Sequence, residues 1–375
     1  MRSQDLNDPG RIEHQGFNDR DRIGRLISEL KKETSRPYRL MEVCGTHTMA
    51  IAKMGLKQML PKNIKLLSGP GCPVCVTPAG VMDEVLRLSE NPDVILASYG
   101  DMIRVPGSVP GDNLQRRKAL GAKVEMVYSA LDAVELAEKN PGKHVVFLGV
   151  GFETTAPGTA VAILEAKKRQ LSGFHVLCML KRVEPALRAL IEADDFQVDG
   201  FLCPGHVATI IGEEGFRFLT DEYRIPAVIT GFEAGDITTA VYELVRMIRD
   251  GKPALWNEYT RAVRPEGNPA ARAIMGRVFE ARRDVWRGLG TMEESGLKIR
   301  DEFREFDAEL VFDLHPKDKE AVTGCRCGQI IRGVMDPGSC PLFGKACTPD
   351  NPVGPCMVSG EGACAAAYRY GTLSM

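Results

Sequence analysis

The sequence predicts an α/β protein: two parallel-sheet α/β domains flanking a cleft, followed by a small loop-rich C-terminal region. Three observations carry this. Short β-rich apolar runs alternate with helix-like segments up to about residue 250, and such alternation implies parallel pairing. The unusual residues come in the turns where those runs end. The tail from about residue 320 lacks a periodic apolar pattern but is full of Gly, Pro and Cys. At 375 residues the chain has room for two or three domains.

The first element is a helix, "RDRIGRLISELKK", in which Ile23, Leu26, Ile27 and Leu30 form one apolar stripe. The strands expected after it are "YRLMEV", "NIKLLS", "DVILAS", "KVEMVYS", "HVVFLGV", "FHVLCML", "DGFLC" and "PAVIT". Helices are expected between them at 78–89, 130–139, 157–170, 184–194 and 237–249. "NPAARAIMGRVFEARRDVWRGLG" reads as one long helix. This gives an N-terminal extension and helix (1–36), a first α/β domain (37–143), a second (144–255), and a long helix with the C-terminal domain (256–375). The turns "GFETT" and "GFEAG" echo each other, hinting at two related halves.

Composition narrows the function. Hydrophobic residues make up 44% and charged residues 26%, an ordinary globular balance. A net charge of −2 without a long basic run argues against nucleic acid or polybasic membrane binding. The N-terminus has no apolar segment of the signal-peptide kind, and no apolar run approaches the ~18 residues of a membrane helix. A cytoplasmic protein is expected. Reducing conditions there make eleven cysteines better suited to metal or redox chemistry than to structural disulfides.

In a parallel sheet all strand carboxyl ends share one edge, and ligands bind in the crevice there. Six turns, "EVCGTHT", "SGPGCPVC", "ASYGDMIRVPG", "GVGFETTAP", "CPGHVATIIG" and "TGFEAGD", are therefore expected to face one cleft. Turns need Gly and Pro in any case, but that does not account for the cysteines, His47, Asp101, Glu153 or His206. Asp101 and Glu153 are read as cleft carboxylates, with solvated turn residues as the plainer reading. "GVGFET" lacks the third glycine of a dinucleotide fingerprint, and no P-loop pattern occurs.

Cys72 and Cys75 form the chain's one C-x-x-C. Zinc ordinarily asks for a second such pair, which is missing. Placed between a strand and a helix N-terminus, the pair suits redox work, because the helix end lowers a thiol's pKa. Metal ligation or an inert loop are the other readings. Cys44 and His47 put a soft thiolate and an imidazole three residues apart, a set that favours Fe, Zn, Ni or Cu. A nucleophilic Cys–His pair ranks below this, and a buried thiol beside a surface histidine is the plain alternative. Six cysteines (Cys325, Cys327, Cys340, Cys347, Cys356 and Cys364) crowd the tail. Four thiolates hold a [4Fe–4S] cluster, with structural zinc as its rival. Spacing alone does not decide which four. Taking Cys325, Cys340, Cys347 and Cys364 leaves Cys327 and Cys356 as a spare pair. Cys178 and Cys203 lie inside apolar strands and read as small core residues.

"MEVCGTHT", "SGPGCPVCVTP", "GFETTAP", "PGHVATIIG" and the six-cysteine tail together resemble the HypD family of [NiFe]-hydrogenase maturation factors, from about residue 24 onwards. The resemblance implies two α/β domains around a cleft and a C-terminal iron–sulfur domain. It implies a scaffold, not an enzyme of free turnover, working with a HypC-type chaperone and a HypE-type cyanide-donating protein. On it, iron acquires two cyanides and one CO. By the same resemblance Cys44 binds the iron together with the chaperone's N-terminal cysteine, with His47 beside it. Cys72 and Cys75 are the cleft redox pair, Cys325, Cys340, Cys347 and Cys364 the cluster ligands, and Cys327 with Cys356 the relay disulfide. Some members carry a second histidine where this chain has Met49, so a role for a second imidazole in that turn is not carried over. The same cysteines would also serve an iron–sulfur disulfide reductase acting on a small molecule or protein partner.

Overall fold

A computed structural model describes residues 20–317 and 323–371. Residues 1–19 of the expected N-terminal extension lie outside the described residues.

Among the described residues, eleven strands form two parallel sheets and a hairpin. In chain order they are β1 (Tyr38–Glu42), β2 (Ile64–Ser68), β3 (Val94–Ser98), β4 (Val124–Met126), β5 (His144–Gly151), β6 (Phe174–Leu180), β7 (Gly200–Pro204), β8 (Ala227–Thr230), β9 (Leu255–Asn257), β10 (Phe279–Trp286) and β11 (Gly290–Ile299). All eight expected strands are present. The expected helices are found as Arg20–Lys32, Ala79–Leu88, Ala130–Lys139, Ala156–Lys168, Val183–Ile191 and Ala234–Arg249. The helix Arg20–Lys32 buries Leu26, Ile27 and Leu30, as its stripe requires, and its Arg22 Nη2 donates to Thr239 Oγ1 at 3.0 Å.

One sheet has the order β2-β1-β7-β8-β9 and the other β4-β3-β5-β6, parallel throughout. Sheet membership therefore does not follow two consecutive halves divided at residue 143. The first sheet takes β1 and β2, then recruits β7, β8 and β9 from beyond residue 199, while β3 to β6 build the second sheet between them. Register fixes the return: Leu40 pairs with Gly200 and Met41 with Phe201. Strands β3 and β6 are buried along their whole length, which explains why they read as unbroken apolar runs and not as alternating ones.

The expected long helix after residue 268 is a correction. Asn268 caps a helix Pro269–Val278 through Ala271 N–H, but the chain then turns into the antiparallel hairpin β10–β11. Gly288 (φ +80) and Gly290 (φ +80) make its turn, a conformation that breaks a helix. Burial of Phe279, Trp286, Leu297 and Ile299 outweighs the helix propensity of the intervening Ala and Arg residues. The hairpin joins the second sheet by an antiparallel bridge from Lys181 to Gly296. At its tip Gly288 packs on Gly328, where an added Cβ would meet the Gly328 Cα at 2.5 Å.

Among the described residues no helix is long and apolar enough to cross a membrane. The tail beyond residue 322 is loop-rich, with short helices at Cys327–Ile331, Pro355–Val358 and Ala363–Tyr370.

Candidate functional site

Both sheets reverse strand order near their middle, and such a switch point opens a crevice at the strand carboxyl ends. In the first sheet the reversal lies between β1 and β7. Cys44 follows β1 and His206 follows β7, so strand order alone brings these two turns together.

Cys44 is the N-cap residue of the helix Gly45–Met54. The backbone N–H groups of His47 and Thr46 bond to its sulfur and favour the thiolate. Burial acts more strongly and, with the Glu361 and Glu42 carboxylates, pushes the thiol up to about 12. Glu42 is itself buried. It accepts from Cys44 N–H at 3.1 Å and from Thr48 Oγ1, and burial raises its carboxyl to about 7.

His47 is fully buried. Its Nε2 lies 2.8 Å from the Gly231 carbonyl oxygen, which can only accept, so Nε2 carries the hydrogen. Nδ1 is then a free lone pair without a protein partner. Burial lowers the imidazole pKa to about 4, which keeps the ring neutral, the form that binds metals. Phe232 stacks on His47 at 4.7 Å and on the exposed His206 at 3.9 Å.

The β2 turn is tied to the first by Gly45 N–H donating to the Gly71 carbonyl at 2.9 Å. Cys72 and Cys75 are both buried, and Cys75 N–H points at Cys72 Sγ at 3.3 Å. The expected help from a helix end is absent. The next helix begins only at Ala79, and burial together with the Cys356 and Cys72 sulfurs raises the Cys75 thiol well above its ordinary value.

Cys356 lies within hydrogen-bonding influence of both Cys75 and Cys327, and Cys327 of Cys325, all of them free thiols. Five thiols thus stand in a line: Cys72, Cys75, Cys356, Cys327, Cys325. Arg287, buried at the hairpin tip, bonds to Cys327, and its N–H donates to the Val76 carbonyl at 2.8 Å. Cys327 is held well below its ordinary value, first by Cys325 and Cys356 hydrogen bonds and then by Arg287. Cys340, Cys347 and Cys364 are buried beside this line, and Cys364 is raised by burial and by the Cys327, Cys347 and Cys340 sulfurs. Glu361 completes the closure of the tail onto the first turn, accepting from Thr46 Oγ1 at 2.7 Å.

The two carboxylates expected in the cleft differ in setting. Asp101 sits in the short helix Gly100–Arg104 after β3, exposed, and has no hydrogen-bond or ion-pair partner among the described residues. The link from that turn to the tail is Arg104, which donates to the Pro349 carbonyl. Glu153, after β5, faces a different cavity. Cys178 and Cys203 are buried in strands, as read from the sequence. Sequence reasoning missed Glu361, Phe232 and Arg287. Glu361 was legible as a lone carboxylate between glycines amid the cysteines; Arg287 was hidden by the helix reading of its segment.

A family model described as "HypD: Hydrogenase formation hypA family" matches residues 21–371. This chain belongs to the HypD family. It is 46% identical to hydrogenase maturation factor HypD2 of Bradyrhizobium diazoefficiens over 95% of this chain and 96% of that protein. The hydrogenase maturation factor HypD of Cupriavidus necator is 45% identical, over 95% of this chain and 96% of that protein. That of Escherichia coli K12 is 41% identical, over 93% and 95%.

Proposed function

We propose that this chain is the cytoplasmic scaffold on which the Fe(CN)2CO unit of [NiFe]-hydrogenase is assembled. In this reading it works with a HypC-type chaperone and a HypE-type cyanide-donating protein. The observation that carries the reading is the closure of the cysteine tail on the switch point of the first sheet. It puts an unbroken line of thiols next to a buried cysteine and a neutral imidazole with a free lone pair.

The incoming iron is cargo, and Cys44 is its ligand. The helix N–H groups aimed at the Cys44 sulfur favour its thiolate, and a bound cation overcomes the burial that otherwise keeps the thiol protonated. His47 Nδ1 is the second donor in that turn. Glu361 and Glu42 supply negative charge around the cation.

Among the described residues no three His, Cys, Asp or Glu side chains converge tightly enough for a single metal ion. A cubane cluster is wider than one ion and needs its sulfurs further apart. Cys325, Cys340, Cys347 and Cys364 are the ligands the family resemblance implies, and Cys364 lies near enough to Cys340 and Cys347 for their charges to act on it. Val353 N–H donates to Cys347 Sγ at 3.4 Å, and an added Cβ at Gly354 would lie 2.6 Å from Cys325 Sγ, so backbone closes directly over the sulfurs. Bound there, a [4Fe–4S] cluster supplies single electrons.

Disulfide exchange then follows from the line of contacts. Cys327, held as thiolate, takes the Cys356 proton; Cys356 attacks Cys75 of an oxidised Cys72–Cys75 pair, and Cys72 leaves and takes up that proton. Cys327 then attacks Cys356, freeing Cys75 and leaving the tail pair oxidised. Two electrons have moved from tail to cleft.

Infrared spectroscopy of anaerobically purified protein with its chaperone tests the reading. Cyanide and CO stretching bands are expected in the wild type and lost in Cys44→Ala. A disulfide reductase would show no such bands in either.

A further inference from the structure

We propose that the cleft between the two sheets holds a second binding site, for a small organic cation, built on Glu153. This goes beyond the scaffold reading and does not depend on it.

The second sheet reverses strand order between β3 and β5. Glu153 lies just past the carboxyl end of β5, where a switch point places ligands. A cavity of about 530 Å³ opens there, between that edge, the hairpin and the segment after β7. This is within the size range of small-molecule pockets. Glu153 lines it and is only 5% exposed. Its Oε1 accepts from Val183 N–H at 2.9 Å, while Oε2 has no protein partner. A buried carboxyl oxygen left unpaired is costly, so the fold keeps it only if something else bonds to it.

The charge of the walls says what. Five carboxyls and three guanidiniums line the cavity. Arg300 is already paired with Glu280 at 3.1 Å and Arg182 lies 3.7 Å from Glu294. Glu280 also holds Lys298 at 2.7 Å and Glu184 holds Arg188 at 3.1 Å, which leaves Glu153 and Glu214 against Arg272: an excess of one negative charge, and no pair of free arginines for an anion. Met275, Phe279 and Leu297 give the cavity an apolar side. An ammonium or amidinium with a short apolar body matches both features: its N–H donates to Oε2 in a charge-assisted bond, and its carbons cover the apolar wall. Burial raises the Glu153 carboxyl to about 7, and a cation beside it favours the carboxylate. The site is distinct from the thiol centre but backs onto it, since Phe152 stacks on Trp286 at 5.7 Å, one residue before Arg287.

The test uses the full chain, with isobutylammonium as probe and isobutyrate as its anionic counterpart of similar shape. Methionine-methyl NMR reports on Met275 in the unsubstituted protein, and calorimetry gives the affinity. Isobutylammonium is expected to shift the Met275 methyl signal, and isobutyrate to leave it unmoved. Glu153→Gln, which keeps the bond to Val183, is expected to weaken binding about tenfold to a hundredfold. If that variant misfolds by circular dichroism, Glu214→Gln on the cavity wall should still weaken binding, by removing that negative excess. Equal binding to the variant that folds, a preference for isobutyrate, or no Met275 shift each overturns the proposal; the last would mean that water alone satisfies Oε2.

Discussion

Gly45→Ala tests how the tail is held on the iron-binding turn. Gly45 opens the helix that Cys44 caps, and its missing side chain is what lets Glu361 approach. An alanine Cβ there would lie 2.6 Å from Glu361 Cβ and 2.9 Å from its Oε2. Carbon pairs are comfortable at about 3.5–4.0 Å, so helix and tail must part by about 1 Å. Cβ is fixed to the backbone, and no rotamer change in Glu361 relieves that contact. Overpacking of this kind costs about 1–3 kcal/mol. The Thr46 to Glu361 hydrogen bond, 2.7 Å in the native packing, is stretched with it. Alanine's better helix propensity returns up to about 1 kcal/mol, so about 2 kcal/mol of the upper figure remains as net loss. Urea unfolding reads the loss, and iodoacetamide labelling followed by peptide mass spectrometry reads exposure of Cys44. Gly24→Ala is the control: Gly24 is helical with open space around its Cα, and alanine there should stabilise by about 0.5–1 kcal/mol. A Gly45→Ala protein as stable as wild type, with Cys44 equally protected, would refute the close packing of tail on turn.

Further predictions follow from the same contacts. In a variant whose only remaining members of the thiol line are Cys75 and Cys356, mild oxidation should join them, seen as a linked peptide pair in non-reduced digests. Cys75→Ser should abolish hydrogenase maturation in cells while leaving the far-ultraviolet circular dichroism unchanged. Gly288→Ala places a Cβ 2.5 Å from the Gly328 Cα at a φ of +80, and should cost about 1–3 kcal/mol, with a red-shifted signal from the buried Trp286 as the hairpin tip lifts. Burial pushes the Glu153 carboxyl up to about 7 from its ordinary 4.5. A raised carboxyl pKa means the folded protein binds the proton more tightly, so its stability contribution is greatest below 4.5 and is lost as pH rises to 7. Glu153→Gln should flatten that slope, by up to about 3 kcal/mol between pH 4.5 and 7, in urea titrations across that range.

The strand and helix positions were legible because buried parallel strands leave uninterrupted apolar runs and their connecting helices leave 3.6-residue stripes. The hairpin β10–β11 was not. Val278, Phe279, Val285 and Trp286 fit either period, and the deciding facts were the glycine turn and the neighbouring core. That misreading also concealed Arg287, whose place against Cys327 depends on the turn. Asp101 and Glu153 were recognised as turn carboxylates, but the cavity that Glu153 lines was not legible. A shared strand direction says that turns lie on one edge of a sheet, not which cavity each turn's side chain lines.

By itself the sequence determined the chemistry available: which turns carry thiols and imidazoles, and that the tail needs more than an apolar core to hold it. Those are properties of local composition and period. Only the tertiary structure decided which of these groups meet. The crossing of β7 back to β1, the seating of the hairpin tip and the close approach of Glu361 to Gly45 bring together residues hundreds of positions apart, through packing and strand order that no local pattern encodes.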